Sequence, residues 1–459
     1  MPTQCTGRGQ GAGRIEGRRV VADFNGGQIS SDAGALLLRE ADRTLRLTER
    51  VANCFQDGRD PELIEHTVRT LVMQRIVAIA LGYEDLNDHD QLRHDPVLAT
   101  LAGKLSARRK GCEPLAGKST LNRLEHAPDT REGSRYHKIA HDPAAFESLF
   151  VKCFIEAHDR APDQIILDLD ATDDPLHGQQ EGRFFHGYYG GYCYLPLYIF
   201  CGRHLIAAKL RRANTDASAG SIEELERIVT QIRRHWPEVR IVLRADSGFA
   251  RDALMSWCEA QHIDFVFGLA KNNRLKTEID AQMSQAQAEC THTGKPARRF
   301  RDFTYRTLNS WSRTRRVVGK AEQLPGKANP RFIVTSLDTQ RWPARALYEK
   351  LYCARGEMEN RIKECQLHLF ADRTSTATMR ANQLRLWFAS FAYVMLEALR
   401  RIGLAGTELA DATCQSLRLK LLKVGALVKI SVRRIHIRMT SSHPFQAAWR
   451  LAQARLAPG

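Results

Sequence analysis

The chain has 459 residues, 43% hydrophobic and 26% charged, the proportions of an ordinary globular protein and enough length for about three average domains or one large domain with insertions. Its 68 Lys and Arg exceed its 52 Asp and Glu by 16, a one-signed excess that points to a polyanionic partner, nucleic acid before an acidic membrane surface. The longest apolar run, Phe388 to Leu396, falls far short of the roughly 20 residues of a membrane span, the N-terminus has no signal-peptide core, and eleven cysteines without a CxxC pair or zinc spacing read as reduced thiols of a cytoplasmic protein.

Residues 1–20, rich in Gly and Arg, are expected to form a flexible basic arm. Over 21–150 the pattern is helical. In "PELIEHTVRTLVMQRIVAIALGY", Leu63, Val68, Leu71, Val72, Ile76 and Ile79 recur at helical spacing. Ser119 is the expected N-cap of a short helix in "GKSTLNRLEHA", and the whole stretch reads as a helical domain. "NDHDQLRHD" offers two His-Asp pairs, but the further ligands of a metal-dependent phosphohydrolase are missing, so capping and surface roles suit it better.

The pattern changes at about residue 163. "QIILDLDAT", "GYCYLPLYIF" and "RHLIAAKLR" read as three strands separated by turn residues. "SIEELERIVTQIRRHW" sets Ile222, Leu225, Ile228, Val229 and Ile232 on one helical face. A strand ("VRIVLRADSGF"), a helix ("RDALMSWCEAQH") and a strand ("IDFVFGLAK") follow. The order β-β-β-α-β-α-β is the plan of the ribonuclease-H-like fold, an α/β mixed sheet whose first and fourth strands are neighbours. That adjacency would bring Asp170, ending the first strand, beside Asp246, ending the fourth, on the carboxyl edge where open α/β sheets place their sites. Asp168 shares a strand face with Asp170 and is the alternative first acid. Asp173 and Asp174 read as turn residues, and "GYYGGY", lacking the Lys-Ser/Thr of a phosphate loop, reads as a turn beside that edge.

Residues 272–345 interrupt the plan with a basic, strand-like insertion, "RRFRDFTYRTLNSWSRTRRVVGK". Arg298, Arg299, Arg301, Arg306, Arg313, Arg315, Arg316 and Lys320 form its densest positive stretch and read as phosphate-backbone contacts. Helical pattern resumes over 346–402, and the basic tail at 403–459 alternates like strands. In "LYCARGEMENRIKE", Tyr352, Arg355, Glu359, Lys363 and, just beyond, Gln366 follow at steps of three, four, four and three, one face of a helix. Alone, that spacing gives a solvated face of ion pairs. Together with Asp170 and Asp246 it gives three carboxylates, each pair repelling by roughly 4 kcal/mol at about 4 Å, which need a common cation. Mg²⁺, with Mn²⁺ as a substitute, favours such all-oxygen sites, and two ions can hold the attacking and leaving oxygens of a phosphodiester.

"LDLDATDDP", "LRADSGF" and "YCARGEMENRIKE", in that order with a basic insertion before the third, resemble the DDE transposases of bacterial insertion sequences, the group with a Tyr-Arg-Glu-Lys signature around its glutamate. "GYEDLNDHDQLRHDP", "GYYGGYCYLPLYIF" and "DRTST" extend the likeness over about 24–400. The resemblance implies a metal-dependent enzyme that cuts an element from double-stranded DNA at its terminal inverted repeats and joins the 3′ ends to a target. Asp170, Asp246 and Glu359 match the metal-holding acids, and Tyr352, Arg355 and Lys363 match positions that contact DNA. The signature's other lysine falls at Gln366. In related enzymes the insertion presents a tryptophan that stacks on a flipped base, and Trp311 among Arg313, Arg315 and Arg316 is the corresponding candidate. The expected partners are element ends bound by the helical 21–150 domain, target DNA and a second copy of the chain, on the nucleoid in the cytoplasm. A structure-selective nuclease and a non-catalytic DNA-binding relative are the competing readings.

Overall fold

Strand β1 (Gln164–Ala171) buries Ile165, Leu167 and Leu169 on one face and turns Ile166, Asp168 and Asp170 to the other in the computed structural model, which describes residues 10–129 and 138–457. Strand β2 (Leu197–Cys201) pairs antiparallel with β1, and β3 (His204–Lys209) with β2. On the other side β4 (Arg240–Ala245) runs parallel to β1, and β5 (Asp264–Leu269) parallel to β4. The expected adjacency of the first and fourth strands is therefore present. "GYCYLPLYIF" is two elements, because Pro196 has no N–H to give a ladder; Gly191–Tyr194 leaves the sheet and joins a small ribbon with Asp174–Pro175 and Phe184–His186.

The basic insertion is no separate β subdomain. Its strands β6 (Ala297–Tyr305), β7 (Arg315–Leu324) and β8 (Arg331–Thr335) extend the same sheet in the order β3-β2-β1-β4-β5-β8-β7-β6. Val317 and Val334 continue the core of Leu167 and Leu243, while Val318 and Ile333 continue that of Val242 and Val266 on the opposite face.

The N-terminal region contains helices α1 (Leu36–Leu45), α2 (Val68–Leu81), α3 (Lys118–Glu125) and α4 (Pro143–Glu156). The Ser119 cap is corrected: α3 begins after Gly117, and the carboxylate of Asp90 takes the Lys118 N–H at 3.1 Å, doing from a distance what an N-cap side chain does locally. Within "NDHDQLRHD" Asp95 caps its own helical turn, but His89 is wholly buried against Gln74 and not on the surface; Asp85, just before the motif, caps another turn. Residues 1–9 of the expected arm lie outside the described residues, and Gln10–Ile15 pairs with Arg18–Ala22 as a hairpin. In the tail, which alternates like strands, Ala426–Ile430 and Ile435–Met439 pair as a hairpin, extended by Ile29–Ser30.

Two layers cover the sheet. Helices α5 (Ser221–His235) and α6 (Asp252–Ala260) pack on Leu167, Leu243 and Phe265. The opposite face carries a helical run, α7 (344–368), and the long α8 (Met379–Ala398). Phe391 of α8 stacks on Phe150 of α4 at 4.2 Å between centroids, and Tyr198 and Phe200 of β2 join the same core. The N-terminal helices thus share one core with α8 and the sheet.

A buried ionic layer fastens α7 to the sheet. Arg244 on β4 faces Asp168 on β1 across one step of the parallel ladder and grips it with two bonds, 2.5 and 2.8 Å. Its remaining Nη1 donates to the Leu351 carbonyl of α7 at 2.6 Å. Both side chains are almost wholly buried, so removing either strands a charge in the interior. Arg244→Met should lose about 3–5 kcal/mol in urea unfolding, and adding Asp168→Leu should restore most of it. A single variant as stable as the parent would show that the pair does not secure this layer.

Candidate active site

One step above that ionic layer the strands end. Ala245 pairs with Leu169, and the next residues on the two strands are Asp246 and Asp170, neighbours on one face of the carboxyl edge. Gly268 of β5 lies beyond Asp246, and a Cβ there would come within 2.6 Å of the Tyr352 hydroxyl, so glycine leaves the room that the tyrosine ring occupies. Asp246 also caps the following turn, accepting the Gly248 N–H at 2.8 Å.

Helix α7 reaches this edge through irregular winding. Wide π turns at Leu347–Tyr352 and Glu364–His368 flank a tight 3₁₀ turn at Cys353–Arg355 and an α segment at Gly356–Lys363. The steps of three and four between Tyr352 and Gln366 therefore do not mark one straight face. Such bulges are common where a helix must aim side chains. Tyr352, Arg355 and Glu359 still point to the edge. Arg355 donates to Asp170 at 3.1 Å and to Glu359 at 2.6 Å, bridging the first and third acids. Burial pushes the Asp170 carboxyl up to about 6; Arg355 opposes that shift, while Asp246 and Glu359 add to it. Asp246 and Glu359 thus both act on Asp170 through space.

The rest of α7 is anchored at its C-terminal end. Gln366 donates to Asp174 Oδ1 at 2.9 Å and to the Asp173 carbonyl at 3.0 Å, so the residue standing at the lysine position ties the helix to the β1 exit. Asp174 is no turn residue as expected: it is fully buried, pairs with Tyr194 in the ribbon, and burial raises its pKa well above the usual carboxylate range. Glu364 is gripped by buried Arg400 at 2.5 Å, and Arg400 also bonds Glu397 at 3.0 Å.

A family model described as transposase DDE domain group 1 matches residues 12–458. The chain belongs to this DDE transposase family. It is thereby of a family of DNA-cutting and joining enzymes. No curated protein gives a significant match.

Not every residue expected to serve this transposase is where that reading needs it. Trp311 is buried at 4% exposure, edge-on to Tyr305 with Arg315 against its face, and presents no ring to a base. Arg315 is buried between Asp252 (2.6 Å) and Glu259 (2.7 Å), and Arg316 is chelated by Asp302 (2.6 Å) while donating to the Leu337 and Trp342 carbonyls. Arg298, Arg299, Arg301, Arg313 and Lys320 pair with acids too, and Arg306 donates to the Trp311 carbonyl. Apart from Asp302 within the stretch and Glu322 just beyond it, the acid partners come from elsewhere in the chain, which is why the stretch looked one-signed. Arg313, with 64% of its side chain in solvent, and the exposed Lys363 remain open to an anion. Asp168 is set aside as first acid, since Arg244 occupies both its oxygens.

Arg244 was missed, although a cation within the apolar "VRIVLRA" called for a buried acid partner. Because folding raises the Asp170 pKa from 3.8 to about 6, ionisation there opposes folding; the cost is absent below about pH 4 and complete above about pH 6. In chelator at pH 7.5, Asp170→Asn should therefore stabilise the chain by roughly 2 kcal/mol, and the gain should fade as pH drops from 6 to 4. Equal thermal stability of the two proteins at pH 7.5 would refute this.

Proposed function

We propose that this transposase moves a bacterial insertion sequence: a homodimer binds the terminal inverted repeats, a ribonuclease-H-like core cuts the DNA, and the freed 3′ hydroxyls are joined to a target. The observation that carries the reading is the placement of Asp170 and Asp246, each the residue after the last ladder pair Leu169–Ala245 of two neighbouring parallel strands, under an α7 whose Glu359 is linked to Asp170 by Arg355.

Asp170, Asp246 and Glu359 would hold Mg²⁺, or Mn²⁺ in its place. The donor set fits in kind, since it is all carboxylate oxygen and already gathers positive charge in the form of a guanidinium. Bound there, the ion would supply an activated water and balance charge on the phosphorus. Among the described residues, no three His, Cys, Asp or Glu side chains close around one point, so convergence of the acids requires Arg355 to release its bridge. A DNA phosphate is the anion that can take the guanidinium in exchange, as a two-pronged partner. Arg355 then positions the strand, the Tyr352 hydroxyl beside Gly268 borders the same spot, and exposed Lys363 extends the positive face. Away from the edge, Lys118, Ser119, Asn122 and Arg123 expose the outer side of α3 around a hollow of about 480 Å³, a surface suited to the element ends. Among the described residues, no helix is long and apolar enough to cross a membrane.

The test uses a plasmid carrying the element with its two ends. The parent chain with Mg²⁺ should release 3′ hydroxyl ends and join them to a second plasmid. Glu359→Gln and Asp246→Asn should each lose about a thousandfold or more in cleavage, the scale of several kcal/mol of transition-state stabilisation, while binding the ends within about twofold of the parent. Cutting without joining would favour the nuclease, and unimpaired cutting by both variants would overturn the assignment of the acids.

A further inference from the structure

Beside the carboxylate edge, five large rings stand in solvent within nine residues: Phe184 (38% exposed), Phe185 (60%), Tyr188 (86%), Tyr189 (36%) and Tyr192 (46%). Among the described residues only one other aromatic, Phe24, is as open, so this is a local concentration of apolar surface. Such patches on a folded chain mark a binding site more often than they mark packing.

The rings are built on a stiff support. Phe184–His186 and Gly191–Tyr194 form the two strands of the ribbon, closed by a turn in which Gly190 takes φ +69°. Phe185 meets Tyr192 edge-on at 5.7 Å, and Tyr188 meets Tyr189 edge-on at 5.0 Å. The root is fixed, since Tyr194 is wholly buried with its hydroxyl donating to the Glu181 carbonyl, and Asp174, its ladder partner, is bonded by Gln366 of α7. At the other end the Tyr189 hydroxyl lies 3.5 Å from the carbonyl of Ala171, the residue after Asp170. The platform is thus tied to the helix that carries Glu359 and touches the strand that carries Asp170.

Charge selects the occupant. The Arg183 guanidinium lies over the Tyr192 ring at 4.4 Å, and Arg212 stands against Gly182 at the ribbon's base. Rings beside two arginines, on a chain of net charge +16, suit a ligand that offers flat faces joined by phosphates. We propose that this ribbon is a stacking platform for unpaired bases of the DNA strand that passes the carboxylate edge. The proposal rests on the reading of that edge as a site of DNA cleavage.

The test compares binding of a fluorescent single-stranded thymidine oligomer with that of a duplex of equal length, using the full chain at fixed salt. Phe185→Ala with Tyr188→Ala should weaken the oligomer about tenfold or more, leave duplex binding within about twofold, and keep the parent's melting temperature because both rings are exposed. Phe185→Tyr with Tyr188→Trp should restore oligomer binding, as stacking needs a ring and not a particular one. Unchanged oligomer binding by the double alanine variant overturns the platform, as does a change from dimer to monomer in its place, which would assign the patch to a second copy of the chain. If that variant still cleaves plasmid at the parent's rate and binds the oligomer as tightly, only the platform falls. A parent chain that neither binds nor cuts DNA removes both proposals.

Discussion

A single guanidinium sets the geometry of the edge. Arg244 sits in a strand whose other buried residues are Ile241, Val242, Leu243 and Ala245, where an unpartnered charge would be prohibitive, and its guanidinium makes three hydrogen bonds to acceptors on two other elements. Asp168 fixes β1 against β4 in parallel register, and the Leu351 carbonyl fixes α7 above both. Whatever lies one layer higher inherits that alignment: Asp170, Asp246 and Gly268 on the strands, Tyr352 and Arg355 on the helix.

The two charged layers are balanced differently. In the lower one a carboxylate and a guanidinium match, with both oxygens used. In the upper one the guanidinium of Arg355 bonds two of three carboxylates, and burial with repulsion from Asp246 and Glu359 lifts the Asp170 pKa. A site that stores such imbalance gains affinity for any added cation and pays in folding stability, which is a common arrangement at functional edges. The anchors around it, Arg400 on Glu364 and Gln366 on Asp174, keep α7 from relaxing the strain by sliding away.

Strand order and the pair Asp170 and Asp246 were legible because hydrophobic alternation and turn residues are local signals, and a parallel neighbour relation follows from the order of elements. Glu359 was legible as part of a helix face, though the π and 3₁₀ turns that aim it were not, since winding defects depend on what the helix packs against. The basic insertion misled. Eight cations in twenty-three residues look like a surface for phosphates, yet Asp252, Glu259, Glu278, Glu289 and Glu349 return from other elements to meet them. Trp311 was drawn into that reading by its neighbours and is a packing residue.

What the amino-acid order determined by itself was periodicity: which residues alternate, which recur at helical steps, and hence which acids end which elements. Tertiary structure alone decided pairing. Whether an arginine meets an acid, a carbonyl or open solvent depends on residues tens to hundreds of positions away, as Arg244 with Asp168 and Arg355 with Asp170 show. The same holds for exposure, since the rings of Phe185 and Tyr188 and that of Trp311 look alike along the chain and differ only in what covers them. Burial and charge compensation are properties of the packed chain, and no local pattern encodes them.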